Sequence, residues 1–246
     1  MCISALVLVP GIYALVRYGL KPAVDFTGGT LIEVQSSSGT STFFRLKAGE
    51  QEPATFSGQI VRSETVGPIL GKELLRKTVT AALFALVTIL LYVAYAFRNI
   101  KFGVSAIIAL VHDLLVVLGT FAILGQWRGV EVDTLFVTAF LTTMSFSVHD
   151  TIVVFDRIRE MGRKKERLSF TEIADHALTE TIGRSLTNSL TIIFMLVALV
   201  LMGGENTRWF VVALLIGTIS GTYSSPFVAT PILILWDRWE RRKSLK

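Results

Sequence analysis

Six apolar runs dominate the chain and leave it few folds to choose from. They occupy residues 3–16, 79–97, 102–124, 135–155, 186–202 and 209–236. A helix needs about 20 apolar residues to cross the hydrocarbon core of a bilayer, and the middle runs reach or approach that length. Of 246 residues, 52% are hydrophobic and 17% charged, with a mean hydropathy of +0.60, whereas a soluble domain carries about 25% charged residues. The apolar residues are collected into runs rather than spread, which predicts a polytopic α-helical membrane protein of six transmembrane helices. The first run is short and opens at Met1 with no basic residue before it. A signal peptide would have a positive start and a small-residue cleavage site, so residues 1–17 are expected to be a clipped first transmembrane helix. The single cysteine, Cys2, excludes an intrachain disulfide and a cysteine-based zinc site.

Residues 18–77 form a polar interval between the first two runs. It holds Gly28 and Gly29, a serine–glycine run at 36–39, Gly49 and Gly58. Residues 30–34 alternate loosely and predict a strand; residues 42–46 and 59–63 are weaker strand candidates. The interval is expected to be a small external α+β domain between helices 1 and 2. At about sixty residues it is near the lower limit for independent folding, so it is expected to lean on its membrane anchors or on a partner. The glycines at 28 and 29 suggest a tight turn in which Asp25 caps the backbone. A phosphate-binding turn is the sharper alternative, but no following helix N-terminus is evident in the sequence, and the structural role is preferred.

Lysine and arginine placement sets the topology. Arg98 and Lys101 follow the second run; Arg157, Arg159, Arg163, Lys164, Lys165 and Arg167 follow the fourth; Arg238, Arg241, Arg242, Lys243 and Lys246 form the tail. The opposite short loops have only Arg128 and Arg208. The basic segments, including a loop at 156–183, are therefore expected in the cytoplasm, with both termini cytoplasmic and 18–77 periplasmic. This placement accounts for the pI near 9.5 through topology and anionic lipid, not nucleic acid. Residues 170–182 carry apolar side chains at 170, 173, 174, 177, 178 and 182, a helical stripe. The stripe fits a helix lying along the cytoplasmic membrane surface or one packed on the bundle, with His176 on its polar face.

Ionisable groups inside a span are expensive and are functional candidates by default. Four qualify: His112, Asp113, His149 and Asp150. They sit in a short repeat, Val-His-Asp-x-x-Val-Val, at 111–117 and 148–154, on antiparallel helices joined by a short loop and so expected to be neighbours. A carboxylate in low dielectric takes up and releases a proton near neutral pH, the property of a proton relay. The fifth run opens with Arg184, Thr187, Asn188 and Thr191, of which 184, 188 and 191 share a helix face. Arg184 keeps its proton in any protein, so it would hold a charged Asp150 and be released when Asp150 is protonated. The competing reading is a static Asp150–Arg184 pair that fixes helix register. Asp113 and His112 also fit simple interhelical hydrogen bonding. Asp156 and Arg157 mark the cytoplasmic boundary as a cap or a gate-side pair. No metal site is expected, because no H-E-x-x-H spacing is present, and no cofactor. Gly217 and Gly221, with Ser220 and Ser224, allow close helix approach, and Pro226 and Pro231 are expected to kink the sixth helix.

Several stretches resemble one family. Asp25-Phe26-Thr27-Gly28-Gly29-Thr30 resembles the DFTGGT signature of the SecD/SecF protein-export family, and residues 66–74 resemble its VGPxxGxEL stretch. Residues 109–113 resemble the third-helix HD motif. Residues 149–160 resemble NDTVVVFDRIRE, the most discriminating match, and residues 183–189 resemble the segment opening the fifth helix. The resemblance covers nearly the whole chain. It implies a ferredoxin-like external domain and membership of the resistance–nodulation–division superfamily. As partners it implies SecD, the SecYEG channel, YajC and the exported polypeptide, in the bacterial inner membrane. It implies proton-driven assistance to translocation, not enzyme catalysis, with Asp150 and Arg184 on the proton path. Position 149 is His where the family usually has Asn, so His149 would tune or join the relay. The alternatives are a small-molecule exporter of the same superfamily, an intramembrane hydrolase built on the His–Asp pairs, and a translocon scaffold without proton coupling.

Overall fold

The computed structural model describes residues 2–35, 41–47, 59–97, 99–164 and 168–244. The serine–glycine run at 36–39, Gly49, Gly58, Arg98, Lys165, Arg167 and Lys246 lie outside the described residues. The elements are α1 (Cys2–Tyr18), α2 (Val24–Thr27), β1 (Gly29–Gln35), β2 (Ser41–Lys47), β3 (Gln59–Val66), α3 (Pro68–Phe97), α4 (Ile100–Arg128), α5 (Thr134–Lys164), α6 (Phe170–Met202), α7 (Glu205–Ser224) and α8 (Thr230–Ser244). A π-helical turn, Ser225–Ala229, joins α7 to α8.

Among the described residues, five helical columns are long and apolar enough to cross a membrane: α3, α4, α5, α6 and the continuous α7–α8 column. The first apolar run forms α1, which at 17 residues is shorter than a full span. Burial divides the columns. The most apolar stretch of α4 is 44% buried and that of α7–α8 is 50%, against 6% for α3 and 11% for α6. Thus α4, α5 and α7–α8 make the centre, and α3 and α6 turn most of their apolar surface outward.

Local chemistry sets the helix ends. The Asn99 side chain accepts from the Lys101 amide to start α4, and Gly129 closes it at φ 68°, a conformation that suits glycine. Ser169 and Glu172 form a reciprocal capping box at the start of α6. The stripe at 170–182 is thereby the first third of one 33-residue helix, not a separate surface helix. Ile173, Ala174 and Ala177 join the core cluster of Phe97, Phe102, Phe155 and Ile158, so packing carries the helix straight through Gly183. His176 is exposed on the opposite face.

The external strands form one antiparallel sheet in the order β2-β1-β3. Central β1 buries Ile32 and Val34 on one face, as alternation requires, and its register with β3 shifts at Glu33/Val34. The third strand runs on to Val66, three residues beyond the sequence expectation. The glycine pair does need its freedom. Gly28 has φ 76°, and a Cβ there would sit 2.7 Å from Pro68 Cα; one on Gly29 would sit 2.4 Å from the Leu46 carbonyl oxygen. The turn therefore lies directly against the start of α3, a helix N-terminus that the sequence pattern did not reveal. Asp25 caps a backbone as expected, but not that of its own turn. Its Oδ2 accepts from the Thr134 amide at 3.3 Å and the Thr134 hydroxyl at 2.8 Å, fastening the first turn of α5. Next to it, Ala23 and Lys21 exchange backbone bonds with Val132.

Close glycine contacts set the centre of the bundle. A Cβ on Gly217 would fall 2.3 Å from Thr143 Cγ2, and one on Gly221 would fall 3.1 Å from Ser147 Cα. This is the small-residue approach expected of Gly217-x-x-x-Gly221, and it seats α7 on α5. Pro226 falls inside the π turn, where the widened i→i+5 repeat runs from the Thr230 amide to the Ser225 carbonyl. That is the local form of the expected kink.

Candidate intramembrane site

Along α4, Asp113 lies between two apolar clusters, one around Leu110, Met144 and Phe155 and one around Val117, Phe121 and Phe136. Its carboxylate is 4% exposed and accepts from three helices. Ser147 Oγ of α5 and Ser224 Oγ of α7 donate to Oδ2, each at 2.6 Å. Ser220 Oγ of α7 donates to Oδ1 at 2.6 Å. His112 Nδ1 lies 3.0 Å from Oδ1. An ionised carboxylate is acceptor-only and can take all four. Directly beyond, Thr151 Oγ1 and Ser225 Oγ are 3.0 Å apart, extending the network from α5 to the π turn. Sequence reasoning named Asp113 and His112 but missed Ser147, Ser220 and Ser224 as its partners. The available signal was the i, i+4 pair Ser220/Ser224 on the same stretch as the packing glycines.

Asp150 has a different setting. It is half-buried, and Ser185 Oγ of α6 donates to its Oδ2 at 2.7 Å. His149 beside it is exposed. Asp150 and His149 line a small crevice of about 20 Å³ with Asn188, Ser189, Thr218 and Thr222, closed on its apolar side by Phe146 and Ile192. The expected Asp150–Arg184 pair is not formed. Ser185, one position further round α6, takes the place facing Asp150. Arg184 lines a polar cleft of about 350 Å³ toward the end of α5 with Asp156, Arg157, Glu160 and Glu180. Arg157 there bridges Glu160 on its own helix and Glu180 on α6. Glu180 was not singled out in the sequence; it turns the boundary residue Arg157 into an α5–α6 link. Thr187 is exposed and bonds back to the Gly183 carbonyl, while Asn188 alone of the two lines the crevice. Near the same end, Lys101 donates to Asp237 at 2.6 Å and Arg241 to the other oxygen at 2.9 Å. Lys101, read only as a topology charge, thus ties α4 to α8, while Arg241 holds Asp237 from its own helix. Among the described residues no three His, Cys, Asp or Glu side chains converge as a metal site would require.

The fold and site define a multi-pass helical membrane protein with ionisable side chains inside its bundle. The family model for the SecD/SecF protein export membrane protein C-terminal region matches residues 47–239, and that for the SecD/SecF GG motif matches 13–39. The chain belongs to the SecD/SecF family. It is 39% identical to protein translocase subunit SecF of Thermobaculum terrenum, over 96% of this chain and 90% of that protein. It is 34% identical to the SecF subunit of Anaerolinea thermophila, over 99% and 93%. A crystal structure of SecDF from Thermus thermophilus, described as a translocon-associated membrane protein, superposes with a TM-score of 0.84 at 29% identity; 96% of this chain matches 37% of that longer one.

Proposed function

We propose that this chain is an accessory subunit of the Sec protein translocase, which works with SecD and the proton motive force to drive late steps of preprotein export. The observation that carries the reading is Asp150, an ionisable side chain inside the span of α5, held by one serine and opening onto a small crevice with Asn188 and Thr222. A carboxylate so placed can change its protonation and trade partners. In this reading Asp150 is the carrier. Arg184 exchanges between the cleft of Asp156 and Glu180 and a charged Asp150, and Asn188 and His149 line the path. Asp113 and His112 form the inner member of the relay. Thr187 and Arg157 support the α5–α6 boundary. Exposed His149 and Asn188 would be costly against lipid, which supports a partner such as SecD on that face.

The same proposal takes α1 as the sixth span and puts both termini in the cytoplasm of a bacterial inner membrane. It takes the sheet as part of a ferredoxin-like periplasmic domain that meets the exported chain. Asp25, Gly28 and Gly29 join that domain to the bundle. SecYEG and YajC complete the partners, with anionic lipid at the basic loops.

The test is export of a secreted precursor into energised vesicles carrying Asp150→Asn, with complex assembly checked alongside. An assembled complex that loses the gradient-dependent step is the expected result. Unchanged export and gradient response would remove proton coupling and favour a scaffold, a reading that draws support from the fully satisfied contacts of Asp113.

A further inference from the structure

His112 is the odd member of the buried network. It is 7% exposed, its Nδ1 faces Asp113, and its Nε2 is the one buried side-chain nitrogen or oxygen without a hydrogen-bond partner among the described residues. His112 lines a cavity of about 320 Å³ between α1, α4 and α7. This cavity is separate from the Asp150 crevice, which is lined from α5, α6 and α7. Its walls are apolar at Val7 and Val116, but Ser4, Thr120, Ser220 and Tyr223 also line it. Ser4 donates to the Tyr223 hydroxyl at 3.3 Å, and the Tyr223 ring lies 6.4 Å from the imidazole.

We propose that this cavity is a second proton-access route, in which His112 takes up a proton at Nε2 and passes one from Nδ1 to Asp113. The inference rests on the proton-coupled reading above. A buried imidazole nitrogen without a partner is costly, and a water needs two to four polar partners to occupy such a place. The hydroxyls of Ser4, Thr120 and Tyr223 line the same cavity and retain lone pairs for such a water, within walls that are otherwise apolar at Val7, Val116, Ile216 and Ile219. With Nδ1–H donating to the Asp113 carboxylate, Nε2 carries the lone pair. Protonation there gives the imidazolium, and transfer from Nδ1 leaves neutral His112 with Nε2–H and a protonated Asp113. The start is restored when Asp113 releases its proton to the hydroxyl network of Ser147, Ser220 and Ser224 and His112 returns to the Nδ1–H tautomer, so one proton enters from the cavity and one leaves Asp113. The ionisable groups against His112 are Asp113 on its own helix and Tyr223 from α7. Ser4 and Val7 of α1 are uncharged, as is Ser147, the α5 residue that reaches Asp113.

The test is imidazole nitrogen NMR on the full chain assembled with its partner subunit in lipid nanodiscs. With His residues only at 112, 149 and 176, single substitutions assign the signals. The expected result is an Nε2 whose signal shows contact with water and exchange of its proton. An Nε2 that is dry and exchanges no proton overturns the proposal. In vesicles, Val116→Phe, which fills the cavity, and His112→Gln, which cannot pass a proton, should both lose gradient-dependent export in assembled complexes. A His112→Gln complex with the wild-type gradient response and pH profile also overturns it. If Asp150→Asn abolishes the gradient-dependent step while both of these variants keep it, only the second route falls. If Asp150→Asn is silent, the route and the coupling reading fall together.

Discussion

The two Val-His-Asp-x-x-Val-Val segments, one on α4 and one on α5, share a sequence pattern and almost nothing else. On α4, Asp113 is sealed among three serine hydroxyls and an imidazole, and His112 is buried. On α5, Asp150 has one serine, a crevice beside it, and an exposed His149. The difference comes from what packs against each segment. The glycine face of α7 seats on α5 at Thr143 and Ser147 and brings Ser220 and Ser224 onto Asp113 of α4, whereas Asp150 points to α6, where among the described residues Ser185 alone donates to it. The lesson is that an intramembrane carboxylate takes its character from its neighbours' donors. A sealed centre can be reached only through the side chains that seal it, and an open one exchanges directly with its crevice.

Removing the sealed carboxylate should show this contrast most strongly. Asp113→Ala strands three hydroxyls and an imidazole N–H in the core and should cost about 3 kcal/mol or more of stability. Thermal unfolding of the purified complex measures it, and a loss no larger than that of Asp150→Ala would break the comparison. Gly217→Val comes next. Its side chain collides with Thr143, should force α5 and α7 apart at about 2 kcal/mol, and should loosen Ser220 and Ser224 from Asp113. A double-mutant cycle with Ser220→Ala should show non-additivity, and strict additivity would mean that the glycine contact does not support the network. The smallest effect belongs to Ser185→Ala, expected at about 1 kcal/mol or less for one part-buried hydrogen bond. Its use is diagnostic: with Ser185 gone, Asp150 should be freer to engage Arg184, and the coupling energy of a double-mutant cycle on Asp150→Asn and Arg184→Gln should rise above that measured with Ser185 present. No rise would mean that Ser185 does not compete with Arg184.

Much of this molecule follows from sequence alone. Long apolar runs have little choice but to be helices in a bilayer, because unpaired backbone groups cannot be left in hydrocarbon. The positions of His112, Asp113, His149 and Asp150 within those runs, the three external strands and the close-packing glycines at 217 and 221 are likewise matters of spacing and residue type. Tertiary structure alone decided which partners those residues meet. Asp25 finds Thr134 across 109 positions, Asp113 finds Ser224 across 111, and Ser185 rather than its neighbour Arg184 reaches Asp150. Helical periodicity assigns a residue to a face but carries no record of which helix lies opposite, or of the rotation and depth at which two helices lock. Those are settled by side-chain volumes summed over whole interfaces, and a shift of one residue around α6 is enough to exchange an arginine for a serine beside the central carboxylate.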